Sequence, residues 1–112
     1  MNFRVNQNKD TAVITTKVEK LNASNAPELK AELTVLSNKS VNNIVIDMSD
    51  TKYCDSSGLS ALLVANRMCK DTNGQFILCG LQKNVSKMIE IAQLHRVLTI
   101  VNSSKEALEL VD

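Results

Sequence analysis

The sequence has few of the residues that enzymatic sites require. Its three glycines, Gly58, Gly74 and Gly80, do not form the pattern of a phosphate-binding loop or a dinucleotide site. The single histidine, His95, provides no evident base for a nucleophile, and no G-x-S-x-G motif is present. No group of His, Cys and acidic residues has metal-ligand spacing. We therefore expect no catalytic residue, no cofactor and no bound metal, and a protein that is not an enzyme.

Charge of one sign and long apolar runs are also lacking. The formal net charge of +1 gives no electrostatic basis for binding nucleic acid. The longest uninterrupted apolar run, residues 61–65, is far too short for membrane insertion. No apolar signal core follows Met1, which predicts a cytoplasmic protein. At 112 residues, of which 44% are hydrophobic, residues 1–112 are expected to form one domain that buries its own core.

The three cysteines, Cys54, Cys69 and Cys79, are odd in number and widely spaced, which fits no paired-ligand pattern. Two of them occupy expected strand or helix positions that face the core, where a free thiol behaves as a small hydrophobic residue. We interpret the cysteines as reduced and buried. Oxidant sensing by Cys54, which adjoins a polar turn, is the alternative.

The clearest structural pattern in the sequence runs from residue 43 to residue 71. Residues 44–48 are almost all apolar, which is typical of a central strand covered on both faces, and we expect that strand over Asn43–Met48. Apolar and small residues then recur every three or four positions, which predicts an amphipathic helix near Ser57–Lys70. Between them, Asp55 offers a capping side chain, and the small residues Ser56, Ser57 and Gly58 follow it.

Strand and helix patterns alternate along the rest of the chain. The other expected strands are residues 3–5, 12–15, 76–79 and 97–101. A helix near Pro27–Ser37 follows a capping box formed by Asn25 and Glu28, and Asn84 is expected to cap a third helix. The terminal helix begins with a second capping box, formed by Ser103 and Glu106.

The order of these elements predicts the fold class. From residue 43 onward the chain reads strand, helix, strand, helix, strand, helix, which implies parallel strands joined by right-handed crossovers. The first two strands look antiparallel. We therefore expect an α/β domain with a mixed sheet of about five strands and about four helices.

Asp47 ends the central strand, at the position of the phosphoacceptor aspartate in receiver domains. A receiver domain also needs acidic residues after its first strand to hold Mg²⁺, and residues 3–6 contain none. We therefore expect Asp47 and Asp50 to shape the turn after the strand through local hydrogen bonds.

Two segments of the sequence resemble a known family. The stretch V-I-D-M-S-D-x-x-Y-C-D-S-S-G-L, preceded by L-N-A-S-N-A-P-E-L, resembles the STAS domain of bacterial anti-sigma factor antagonists. The resemblance covers essentially the whole chain. It implies a small cytosolic switch that binds a cognate anti-sigma factor and thereby frees a sigma factor.

The resemblance also implies how the switch is controlled. In this family the serine or threonine directly before the glycine is phosphorylated by the anti-sigma factor, a serine/threonine kinase of the GHKL type. Phosphorylation breaks the complex, and a serine phosphatase restores it. The matching residue here is Ser57. The alternative within the same fold is a STAS accessory subunit that binds the cytosolic ATPase of a lipid-transport ABC system.

Helix geometry predicts where a partner would bind. At 100° per residue, Ser60, Val64 and Arg67 project away from the buried stripe, with Leu63 at the edge of that outward arc. We expect Val64 and Leu63 to form the apolar centre of the contact. The alternative is that they are ordinary isolated apolar residues, with Leu63 packed under a neighbouring helix. The predicted partner-binding residues are Asn25, Asp55, Ser56, Ser57, Gly58, Ser60, Leu63, Val64 and Arg67.

Overall fold

The computed structural model describes residues 1–111 and has the α/β architecture that the sequence predicts. A five-stranded sheet has the spatial order β1-β2-β4-β6-β7, and β3 pairs with β5 in a separate two-stranded sheet. The strands are β1 (Phe3–Asn8), β2 (Thr11–Thr16), β3 (Lys20–Leu21), β4 (Asn43–Asp47), β5 (Tyr53–Cys54), β6 (Phe76–Cys79) and β7 (Thr99–Val101). The helices are α1 (Ala26–Asn38), α2 (Ser56–Asp71), α3 (Lys83–Ile91) and α4 (Ser104–Val111), and a 3₁₀ turn, Leu94–Arg96, precedes β7.

The main sheet is mixed, as predicted. Strands β1 and β2 pair antiparallel, whereas the pairs β2–β4, β4–β6 and β6–β7 are parallel. Parallel neighbours need crossover connections, which α1, α2 and α3 provide in turn. Helices α1 and α2 also pack against each other. Their N-termini therefore lie at the same end of the sheet.

The hydrophobic core has two parts, one on each face of the sheet. Successive side chains of a strand point to opposite faces, so Ile44 and Ile46 of β4 belong to the larger cluster, while Val45 belongs to the smaller one. The larger cluster receives the buried stripes of α1, α2 and α3, and α4 covers the smaller one. Among the described residues, no helix combines the length and the apolar character that a membrane crossing needs.

The short sheet formed by β3 and β5 was not predicted. No strand was predicted between residues 15 and 43, yet Lys20 and Leu21 pair in parallel with Tyr53 and Cys54. Strands of two residues are too short to show an alternating pattern in the sequence. This small sheet contacts α3, and β5 leads directly into α2.

Two of the predicted helix caps were wrong. Asn25 precedes α1, but its side chain makes no capping hydrogen bond. Instead, its Oδ1 accepts from the backbone N–H of Asn22 (3.0 Å), and its Nδ2 donates to the carbonyl oxygen of Lys20 (2.8 Å). Asn84 lies within the first turn of α3, which begins after Gln82. The side chain of Gln82 donates to the carbonyl oxygen of Ser49 (2.6 Å).

The cap of the terminal helix was predicted correctly. The backbone N–H of Glu106 donates to Ser103 Oγ (3.2 Å), and Glu106 Oε2 accepts from the backbone N–H of Asn102 (3.4 Å). These two bonds satisfy backbone donors that have no partner within the helix.

The region between α3 and the last strand differs from its predicted form. Strand β7 begins at Thr99 rather than residue 97, because the N–H groups of Val97 and Leu98 both donate to the carbonyl oxygen of Leu94. Helix α3 ends at Ile91. Ala92, the residue that follows the helix, is exposed.

Candidate functional site

Hydrogen bonds of the Asp55 side chain and of the Asp55 backbone N–H hold the start of α2 in place. Its Oδ1 accepts from the backbone N–H of Gly58 (3.0 Å), which is the predicted N-cap interaction. Its backbone N–H donates to the carbonyl oxygen of Leu21 (3.2 Å). The first turn of α2 is therefore fixed to strand β3 as well as capped.

Gly58 allows that first turn to lie against β3 and β5. A Cβ atom at this position would be 2.6 Å from Cys54 Sγ and 2.7 Å from the carbonyl oxygen of Leu21. Real Cβ contacts are essentially never closer than 3.0 Å. A residue with any side chain would push α2 away from the small sheet.

Ser56 and Ser57 form the first turn, and both face a groove between the starts of α1 and α2. Ser56 is exposed and Ser57 is half-buried. The groove has a volume of about 400 Å³. It is lined by Ala23, Ala26, Pro27, Lys30, Ser56, Ser57 and Ser60. The groove thus brings the predicted phosphoacceptor next to the first turns of α1.

Lys30 is a residue of this groove that the sequence reasoning missed. It lies in α1, four residues after Ala26, and is half-buried. Its helical spacing from Ala26 and Pro27 puts the three residues on one side of α1. That spacing is visible in the sequence, but the sequence did not predict that α2 packs beside this side of α1 and completes the groove.

The outward face of α2 carries the apolar residues that helix geometry placed there. Leu63 is 37% exposed and Val64 is 39% exposed, with Ser60 and Arg67 also exposed around them. Both apolar side chains thus reach solvent, and Leu63 is not fully covered by a neighbouring helix. Val64 follows Ser57 by seven residues, about 10 Å along the helix and on nearly the same side.

Asn25 lies apart from this face. It is half-buried, and its two hydrogen bonds fix the chain between β3 and α1 rather than leaving its side chain free. For Asn25 to contact a partner as predicted, its side chain would have to break these hydrogen bonds or form further ones in addition to them. The structure therefore gives Asn25 a positioning role for the loop that borders the groove.

Asp47 shapes the turn after β4, as expected. Its Oδ1 accepts from the backbone N–H of Ser49 (3.0 Å). Asp50 instead forms an ion pair with Lys17, with a distance of 2.9 Å from Nζ to Oδ2. Both side chains thus stabilise the loop after β4, Asp47 through a local hydrogen bond and Asp50 through an ion pair with a distant residue.

All three cysteines are buried. Burial, assisted by the negative charge of Asp55, raises the pKa of Cys54 to about 12. Burial also raises the pKa of Cys69 to about 11 and that of Cys79 to about 12, the latter with a contribution from Asp47. Cys54 is only 5% exposed and its thiol favours the protonated form, so the structure disfavours the oxidant-sensing alternative for this residue.

We expect the folded protein to resist thiol modification at pH 8. The unfolded chain has thiols with a pKa of about 8.5, so a substantial fraction is ionised at pH 8. The raised pKa of Cys54 keeps the folded thiol protonated. The test is the rate of reaction with Ellman's reagent, measured with and without denaturant. Rapid labelling of one thiol in the folded protein, abolished by Cys54→Ala, would contradict this expectation.

Comparison with known proteins identifies the family. The STAS domain family model matches residues 2–107. BtrV of Bordetella bronchiseptica, named as an anti-sigma factor antagonist, is 29% identical over 87 residues, which cover 78% of this chain and 75% of that protein. The anti-sigma-B factor antagonist of Listeria monocytogenes is 28% identical, over 77% of this chain and 75% of its own length.

Solved structures agree with this assignment. The crystal structure of an anti-sigma factor antagonist from Thermotoga maritima has a TM-score of 0.85 and 26% identity, and the match covers 97% of this chain and 93% of that one. The phosphorylated form of the Bacillus cell fate determinant SpoIIAA shares the fold, with a TM-score of 0.77 at 20% identity, over 98% of this chain and 99% of that one. The chain belongs to the STAS domain family.

Proposed function

We propose that the chain is an anti-sigma factor antagonist that is switched by phosphorylation of Ser57. In the unphosphorylated state it binds a cognate anti-sigma factor through the start and the outward face of α2, and a sigma factor is freed. The anti-sigma factor is also a serine kinase of the GHKL type, and a serine phosphatase reverses the modification.

Family membership and the names of the relatives support this proposal. Relatives that match about three quarters of the chain are named as anti-sigma factor antagonists. A structure of the same fold is described in a phosphorylated form, so the fold accommodates a phosphate in that protein. These observations favour a regulatory binding protein over a serine hydrolase.

The observation that carries the proposal is the setting of Ser57. Its side chain forms no hydrogen bond with the described part of the chain, and it faces an open groove beside the capped start of α2. The apolar pair Leu63 and Val64 lies one to two turns further along the same helix. A partner that covers this face would therefore also cover the hydroxyl group that controls it.

Phosphorylation would act by blocking the partner rather than by unfolding the domain. The γ-phosphoryl group of ATP would be transferred to Ser57 Oγ: the new P–O bond forms as the bond to ADP breaks, and the hydroxyl proton leaves. The product carries about −1.5 to −2 charges at neutral pH, and it lies at the positive end of α2, where the fold tolerates an anion. A partner surface shaped for a neutral hydroxyl would instead meet a dianion.

The site of modification can be tested directly. We expect incubation with the cognate anti-sigma factor and ATP to add one phosphate, mapped to Ser57 by mass spectrometry. Ser57→Ala should abolish incorporation, and Ser56→Ala serves as the matched control that should still be phosphorylated. Phosphate incorporation that persists in Ser57→Ala would rule out the assignment.

The mode of switching has its own test. The phosphorylated protein should keep its circular dichroism spectrum and nearly the same melting temperature, because the half-buried Ser57 lines an open groove that has room for the phosphate. Its affinity for the anti-sigma factor, measured by calorimetry, should fall at least tenfold, which corresponds to about 1.4 kcal/mol. A phosphorylated protein that loses its folded spectrum would show that the switch works by refolding.

A further inference from the structure

Lys30 is half-buried and lines the same groove as Ser57, and no carboxylate within residues 1–111 forms an ion pair with it. It lines the groove between α1 and α2 together with Ser56, Ser57 and Ser60. Among the described residues, the ion pair within 4.0 Å is Lys17–Asp50, which does not involve Lys30. A lysine can bury its apolar stem while its ammonium group stays in water, so half-burial of Lys30 leaves its charge available to an anion that forms in the groove.

Three charged residues of the elements around the groove make contacts of their own. Asp55, at the junction of β5 and α2, accepts the hydrogen bond from Gly58. Glu28 of α1 accepts from the side chain of Asn2 (3.0 Å). Lys20 of β3 lies over the ring of Tyr53, 5.9 Å from its centre. Within the described part of the chain, the lining of the groove contains no acidic residue, and Lys30 is its one charged residue.

We propose that Lys30 receives the phosphate group of phosphorylated Ser57, with Nζ pairing to the phosphate oxygens across the groove. This inference rests on the proposed phosphorylation of Ser57. A pair between an ammonium and a phosphate is a charge-assisted hydrogen bond and is stronger than a neutral one. Lys30 is thus a positioning residue that holds the dianion between α1 and α2, at the edge of the surface the partner must cover.

The pairing has a measurable signature in the second ionisation of the phosphate, whose ordinary pKa is about 6. An adjacent ammonium favours the dianion and lowers this pKa, whereas Asp55 raises it in every variant equally. Phosphoserine can be incorporated at position 57 during translation, so no kinase is needed. The ³¹P chemical shift of the full chain is then titrated against pH.

We expect Lys30→Gln and Lys30→Met to raise the phosphate pKa by about half a unit, roughly a threefold change in the ionisation constant. Lys30→Arg should leave it close to the wild-type value, because the positive charge is kept. Lys39→Gln is the matched control: the same charge is lost from the C-terminal end of α1, more than two turns away. The Met variant keeps the apolar stem of the side chain, so folding is preserved if Gln is not tolerated.

Equal phosphate pKa values in the Lys30 variants and in Lys39→Gln would overturn the pairing. This outcome is distinct from failure of the proposed function, which would appear as no incorporation of phosphate at Ser57 by the anti-sigma factor. If the phosphate pKa rises in the Lys30→Gln and Lys30→Met variants but not in Lys39→Gln, and the kinase assay is negative, the pairing is supported. The proposal that the anti-sigma factor phosphorylates Ser57 is then rejected.

Discussion

Gly58→Ala is expected to destabilise the domain by about 1–3 kcal/mol, the usual cost of forcing an added group into packed structure. The added Cβ would lie 2.6 Å from Cys54 Sγ and 2.7 Å from the carbonyl oxygen of Leu21. The second neighbour is backbone, which cannot rotate away. Either β3 or the first turn of α2 must therefore move, and both are joined to Asp55 by hydrogen bonds.

The sign of this change is informative because helix propensity predicts the opposite. Alanine within a helix is more favourable than glycine by about 1 kcal/mol when nothing else changes. Urea unfolding followed by circular dichroism measures the net effect. Ser60→Ala, in the next turn of α2 at an exposed position, is the matched control and should lie within about 0.5 kcal/mol of the wild type.

A double variant separates the two contacts. Cys54→Ala removes the sulfur atom, so the cost of Gly58→Ala should be smaller in that background, and the difference is the coupling free energy. Relief should be incomplete because the carbonyl oxygen of Leu21 remains. A Gly58→Ala protein as stable as the wild type would show that α2 can move away from the small sheet at little cost.

Regular patterns predicted the elements around this site well. The helix expected near Ser57–Lys70 occupies Ser56–Asp71, because the apolar period and the Asp55 cap mark the same start. The central strand, expected to end at Met48, ends at Asp47. Both features depend on residues that are close together in sequence, so the spacing of those residues is sufficient to predict them.

Features that depend on distant contacts were missed. Asn25 is a residue type that often caps helices, but its side chain forms hydrogen bonds with Lys20 and Asn22 instead. This happens because β3, the strand before it, is held in place by pairing with β5. Lys30 is unexceptional in the sequence, since within α1 taken alone it is an ordinary solvent-facing lysine. Only the parallel packing of α1 and α2 brings it to Ser57, and that depends on the order of strands in the sheet.

The role of α2 in partner binding gives the second large expected effect. Val64→Asp should weaken binding to the anti-sigma factor at least tenfold, because it places a desolvated charge at the apolar centre of the contact. Val64 is 39% exposed in the free protein, so the same substitution should change the free energy of unfolding by about 0.5 kcal/mol or less. Calorimetric titration and thermal unfolding measure the two quantities.

Val35→Asp is the matched control for this surface. Val35 is 46% exposed on α1 and lies outside the predicted contact, so the same change of side chain adds the same charge elsewhere. It should leave the affinity within about twofold of the wild type, a difference of roughly 0.4 kcal/mol. An unchanged affinity for Val64→Asp would discard the α2 surface, and an equal loss in Val35→Asp would show a general effect of negative charge. A tenfold loss confined to Val64→Asp would place the partner on the helix that Ser57 begins, where one added phosphate can exclude it.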